Sequence, residues 1–81
     1  MKLPRDLSGA ALANALAKFG YQITRQKGSH IRLTTQQHGE HHVTIPNHDS
    51  LKVGTLAAIL NDVALHLGLS RDELLQQLFG P

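Results

Sequence analysis

The feature that most constrains this chain is a pair of alternating segments on either side of Lys27-Gly28-Ser29. Tyr21 to Arg25 and His30 to Thr34 are rich in β-formers, and apolar and polar side chains exchange at every second position. Two such runs so close together can only be an antiparallel hairpin, because a parallel crossover needs a dozen residues or more. The loop length then decides which residues share a face. A two-residue Lys27-Gly28 loop pairs Ile23 with Arg32 and mixes the faces, whereas a three-residue loop keeps both clean and uses Gly28 at positive φ. The three-residue loop is the expectation. It places Tyr21, Ile23, Ile31 and Leu33 on an inner face and Gln22, Thr24, His30, Arg32 and Thr34 on an outer one, with His30 beside Thr24 or Gln26.

A third segment follows the polar turn Gln36-Gln37-His38-Gly39-Glu40. In His41 to Ile45, Val43 and Ile45 alternate with His42 and Thr44, and Pro46 ends the run. Centring the turn near His38 pairs Leu33 with Val43 and Ile31 with Ile45. The same register sets His30 opposite Pro46, near the point where Asn47 and His48 leave the sheet. His42 falls opposite Thr34, roughly 13 Å from His30 at about 3.3 Å per residue.

Helices bracket the sheet. Ser8 caps a segment running to about Phe19, ended by Gly20, with Leu12, Leu16 and Phe19 on one face. Gly54-Thr55 opens a second, to about Leu67, whose Leu56, Ile59, Leu60, Val63 and Leu67 form an apolar stripe closed by Gly68. Ser70-Arg71-Asp72-Glu73 has capping-box spacing and starts a short third helix carrying Leu74, Leu75 and Leu78. Gly80-Pro81 reads as a frayed end. Both longer helices need the same apolar sheet face, so the fold class is α+β: helix, three-stranded antiparallel sheet, helix, with a short C-terminal helix and the other sheet face open.

At 81 residues the whole of 1–81 reads as one domain that buries about 60% of its unfolded surface and has no room for a deep internal pocket. Without cysteine there are no disulfides and no thiolate metal sites. No apolar run is long enough to span a membrane, and a cytoplasmic location is the expectation. Charge is uneven: residues 1–54 carry seven Lys/Arg against three Asp/Glu, a net +4, while residues 55–81 carry one Arg against three acids, a net −2. The sheet half suits a polyanionic partner, and its near lack of aromatics favours contacts to backbone and shape over base stacking.

RNA cleavage without a metal needs a base for the 2′-hydroxyl proton, an acid for the leaving 5′-oxygen, and cations around the phosphoryl group. Histidine serves as base because it titrates near neutral pH. His30 has Lys27 and Arg32 at hand for charge, although strict alternation turns Arg25 inward unless the loop twists it out. His38, His41, His42 and His48 invite a metal reading, but His41 and His42 face opposite sides of a strand, and zinc needs three or four convergent ligands. No metal site and no cofactor is expected.

The ordered set Ser8-Gly9, Phe19-Gly20-Tyr21, Gln26-Lys27-Gly28-Ser29-His30, Thr44-Ile45-Pro46-Asn47-His48, Leu51 to Leu56 and Ile59-Leu60 resembles the HicA (YcfA-like) toxin family over nearly all of Ser8 to Leu78. The resemblance implies a fold like the double-stranded RNA-binding domain. It also implies a ribosome-independent mRNA interferase, the toxin of a type II toxin–antitoxin system, neutralised by a HicB-like antitoxin protein. It assigns His30 as the catalytic histidine and matches His48 to the family's loop histidine, expected in a supporting role; the residues themselves put Lys27, Gly28, Ser29 and Arg32 around the RNA. His38, His41 and His42 stand outside the pattern. Two other readings fit the same fold: an RNA-binding module without catalysis, and a protein-interaction domain whose sheet face binds a partner.

Overall fold

A computed structural model describes residues 2–80; Met1 and Pro81 lie outside the described residues. The elements are α1 (Gly9–Leu16) with a 3-10 turn over Ala17–Phe19, β1 (Gln22–Lys27), β2 (His30–Thr35), β3 (His41–Pro46), α2 (Val53–Leu67) and α3 (Arg71–Phe79). The three strands form one antiparallel sheet in the order β1-β2-β3. This is the α+β arrangement the sequence predicts, helix, sheet, helix and short C-terminal helix.

Each helix begins and ends where its chemistry dictates. Ser8 Oγ accepts from the Ala11 amide at 3.0 Å, and Gly20, left-handed at φ 79°, ends the 3-10 turn. Gly68 at φ 71° closes α2, whose start is Val53, a residue earlier than expected. The capping box of α3 is complete: Glu73 N–H donates to Ser70 Oγ and Ser70 N–H to Glu73 Oε1, at 3.1 and 2.9 Å. These bonds to Ser70 hold the Glu73 carboxyl below its ordinary pKa. At the other end Gly80 N–H donates to Gln76 O.

α1 lies over β2 and β3, α2 over β3, and α3 closes against α1 and α2. Leu12, Leu16, Ile31, Leu33, Val43, Ile45, Leu56, Leu60 and Val63 form one continuous core with Leu74 and Leu75. Burial of such side chains contributes about 1.5–3 kcal/mol each relative to exposure. α1 docks by close approach of backbone. A Cβ on Gly9 would sit 2.0 Å from Pro46 O, and the Gly9 amide donates to His48 O at 2.9 Å. Ser8-Gly9 thus joins the start of the first helix to the end of the last strand.

The register of β2 with β3 is the predicted one, including His30 opposite Pro46 and Thr34 opposite His42. The first hairpin differs. Lys27 pairs with His30, so the loop is the two residues Gly28-Ser29, with Gly28 at φ 57°. Positive φ at the first central residue alone is the pattern of a type II′ turn, whose backbone twist matches that of the flanking strands. A register shift between Ile23 and Arg25 then restores Ile23 opposite Leu33, leaving Thr24 as the extra residue of a bulge. The expected clean inner face of β1 is also corrected. Tyr21 is buried, but Ile23 is 55% exposed and all six residues of β1 are open to solvent. Helix α1, only eight residues long, does not reach across the edge strand.

Candidate functional site

The bulge determines what the outer face can do. With the shift at Thr24, Arg25 pairs with Arg32 instead of Ile31, and residues directly opposite in a sheet point to the same side. Arg25 therefore leaves the inner face that strict alternation assigns it and joins Lys27, His30, Arg32 and Thr44 around an open depression of about 360 Å³. The neighbour of His30 across the hairpin is Lys27, not the expected Thr24 or Gln26. The sequence signal for this is Gly28 followed by Ser29, since Gly at the first central position is the mark of a two-residue loop.

Two bonds hold this end of the sheet. Asn47 N–H donates to Ser29 O at 2.6 Å, and Leu51 N–H donates to Leu7 O at 2.8 Å. With the Gly9 amide on His48 O, the hairpin turn, the Pro46–His48 segment and the start of α1 are one hydrogen-bonded corner. Gly28 and Ser29 form the turn itself, with open space around Gly28. His48 is exposed and does not line the depression; its backbone carbonyl anchors Gly9. Among the expected site residues, then, Lys27, His30 and Arg32 come together, Gly28 and Ser29 shape the turn beside them, and His48 stands apart.

The electrostatics are one-sided. Among the described residues the ion pairs are His41–Asp62 and His42–Glu40, at 3.2 and 3.1 Å, so Arg25, Lys27 and Arg32 have no carboxylate within pairing distance. The ring nitrogens of His30 have no hydrogen-bond partner within the described residues either. Three cations outside any ion pair can bind a phosphate group, and the imidazole beside them has both ring nitrogens free for a proton of the bound molecule.

His41, His42 and His66 have other tasks. His41 Nδ1 lies 2.7 Å from Tyr21 Oη and its Nε2 3.2 Å from Asp62, and its ring stacks on that of His66 at 4.3 Å. His66 Nε2–H bridges the carbonyls of Gln37 and Gly39 at 2.9 and 3.0 Å, tying α2 to the β2–β3 turn. Burial, reinforced by Asp62, pushes the Tyr21 hydroxyl up to about 12. On the outer face His42 joins Thr34 at 2.7 Å and Glu40 at 3.1 Å. Hydrogen bonds from Gln36 and His42 hold the Glu40 carboxyl below the usual range. Among the described residues no three metal-ligating side chains converge.

Residues 9–65 match the profile of the family described as the HicA toxin of bacterial toxin-antitoxin. The chain belongs to the HicA toxin family. The match covers α1, the entire sheet and most of α2, and so contains the Gly9 docking contact, the hairpin corner and the cationic depression of this HicA chain. No curated protein and no solved structure matches it. Among the described residues no single helix of this HicA chain is long and apolar enough to cross a membrane.

Proposed function

We propose that the chain is a metal-independent endoribonuclease that cleaves mRNA in the cytoplasm, and that its partner is a HicB-like antitoxin that covers the same sheet face. The observation that carries this reading is the free His30 imidazole beside Arg25, Lys27 and Arg32, none of them in an ion pair. A strand of RNA laid on the outer face puts a phosphodiester in this depression. His30 takes the proton of the neighbouring 2′-hydroxyl, the 2′-oxygen attacks phosphorus, and the bond to the 5′-oxygen breaks with that oxygen protonated from solvent. The products are a 2′,3′-cyclic phosphate and a free 5′-hydroxyl. Arg25, Lys27 and Arg32 stabilise the charge that builds on the phosphoryl oxygens, which is worth most where donors are already in place.

Membership of a toxin–antitoxin family supports the partner, and charge supports where it binds. An acidic surface is drawn to the open cationic face, and the helices' apolar faces are already committed to the core. The test is cleavage of a synthetic single-stranded RNA by the purified chain in excess EDTA, with the upstream ends analysed. Cyclic phosphate, or its hydrolysis product, is expected. Activity lost with chelator and restored by zinc would overturn the metal-free mechanism. RNA binding without any cleavage would favour the non-catalytic module of the same fold.

A further inference from the structure

At the far end of the same sheet face lies a second open depression, of about 470 Å³, and its chemistry is opposite to the first. Its walls are the amides and hydroxyls of Gln22, Thr24, Thr34, Gln36 and Gln37 together with Gly20 and the buried Thr35, with no cation among them. Thr34 is four residues along β2 from His30, roughly 13 Å at about 3.3 Å per residue. A strand of RNA that places a phosphate at His30 and continues along β2 therefore passes over this second depression.

Two features decide what part of the strand it can hold. Beside it the Glu40 carboxylate is held by His42 Nε2 at 3.1 Å. A carboxylate at this end disfavours a phosphate, in contrast to the three free cations at the other. The hydroxyl protons are also committed. Thr34 Oγ1 lies 2.7 Å from His42 Nδ1 and 3.0 Å from Thr24 Oγ1, and the Thr24 hydroxyl also reaches the Arg32 carbonyl oxygen at 3.4 Å, so the protons run either from Thr24 through Thr34 to His42 Nδ1 or from His42 Nδ1–H through Thr34 and Thr24 to Arg32 O. Either way both hydroxyl protons are used within the chain, and what Thr24 and Thr34 present outward is acceptor lone pairs. The exposed amide of Gln22, directly opposite Thr34, makes no hydrogen bond within the described residues and offers a carbonyl oxygen as well as its own N–H groups.

We infer that this depression is a base-reading subsite, which takes one nucleobase of the RNA strand and favours bases with an exocyclic amino group over uracil. The inference rests on the RNA-cleavage reading of the His30 depression and adds to it. The expected recognition of backbone and shape holds at the cationic end, while sequence is read at the other. Single-stranded RNA is suited to this, because its unstacked bases present their hydrogen-bonding edges to amide and hydroxyl side chains.

The test is cleavage of a random-sequence single-stranded RNA pool by the full chain, with fragment ends sequenced, for the wild type, Gln22→Ala and Thr34→Val. In the wild type, amino-bearing bases should exceed uracil at least about fivefold at one fixed offset from the cut, the discrimination a good hydrogen-bonded base contact provides. Both variants should lower that ratio to about twofold or less while total cleavage stays within about threefold. Gln22 is exposed on an edge strand and Thr34→Val keeps a β-branched shape, so both variants fold, as circular dichroism would verify. Cleavage with an unchanged base ratio in both variants would overturn the subsite and leave the His30 assignment standing. Loss of all cleavage in folded variants would also overturn it, since it would place these residues in the chemistry. A wild type that cuts no RNA would overturn the function and the subsite together.

Discussion

Replacing Gly9 with alanine tests the joint between α1 and the site corner. At most helical positions a glycine-to-alanine change stabilises, by up to about 1 kcal/mol. Here the added Cβ would stand 2.0 Å from Pro46 O, 3.0 Å from Pro46 C and 3.2 Å from the Asn47 Cα. All three are backbone atoms, so no rotamer change relieves the clash, and either α1 or the end of β3 must move. Overpacking of this kind costs about 1–3 kcal/mol and outweighs the helix gain. For a domain this small each kcal/mol shifts Tm by about 4–8 °C, so Gly9→Ala should melt roughly 5–20 °C below the wild type. Gly54→Ala is the control: Gly54 is helical in α2 with nothing within 4 Å of an added Cβ, and the change should leave Tm equal or raised. Because Asn47 N–H bonds to Ser29 O and Pro46 stands opposite His30, the shift in Gly9→Ala also distorts the turn that carries His30. Thermal melts monitored by circular dichroism, with RNA cleavage at a temperature where the variant is folded, measure both effects. A Gly9→Ala protein as stable as Gly54→Ala, with full cleavage, would refute the close-approach argument.

Two further outcomes follow from the charges. Arg25→Ala, Lys27→Ala and Arg32→Ala should each weaken RNA binding across sequences and flatten the salt dependence by about 0.7, the slope per phosphate contact for a single strand; filter binding from low to high salt measures it, and an unchanged slope removes that residue from the site. Tyr21 sets an alkaline limit. Its pKa, raised to about 12 in the folded chain from about 10 when free, favours the folded state fully below pH 10, and that contribution, on the order of 2 kcal/mol, is lost as pH rises through 12. Urea unfolding from pH 9 to 12 should show the loss in the wild type and not in Tyr21→Phe; the same loss in both would mean the tyrosine is not its source.

Much of the fold is legible in the residues because burial enforces period. The stripes of α1 and α2 and the alternation of β2 and β3 each face the core, where a shift of one position would bury Arg32 or His42. The register opposite His30 follows from centring the turn near His38, which pairs Leu33 with Val43 and Ile31 with Ile45. β1 resisted the same reasoning, since it is an open edge where no helix penalises an exposed Ile23, and the bulge at Thr24 could form there. That bulge brings Arg25 to the site, and only the preference of Gly28-Ser29 for a two-residue turn hints at it. The roles of His41, His42 and His66 were not legible. They depend on contacts between residues 20 or more apart, such as Tyr21 with His41 and His41 with Asp62, or on cross-strand pairs whose side-chain geometry no spacing encodes.

The central claim is that His30 performs the proton transfer. Its most direct test is single-turnover cleavage of a defined RNA by His30→Ala beside the wild type, with RNA affinity and Tm measured on the same preparations. His30 is exposed and its side chain bonds to no other described residue, so Tm should stay within a few degrees and RNA binding within a few-fold, because the cations remain. Cleavage should fall by about 10²–10⁴, the usual contribution of a general base. A folded His30→Ala protein that cleaves at the wild-type rate would contradict the account.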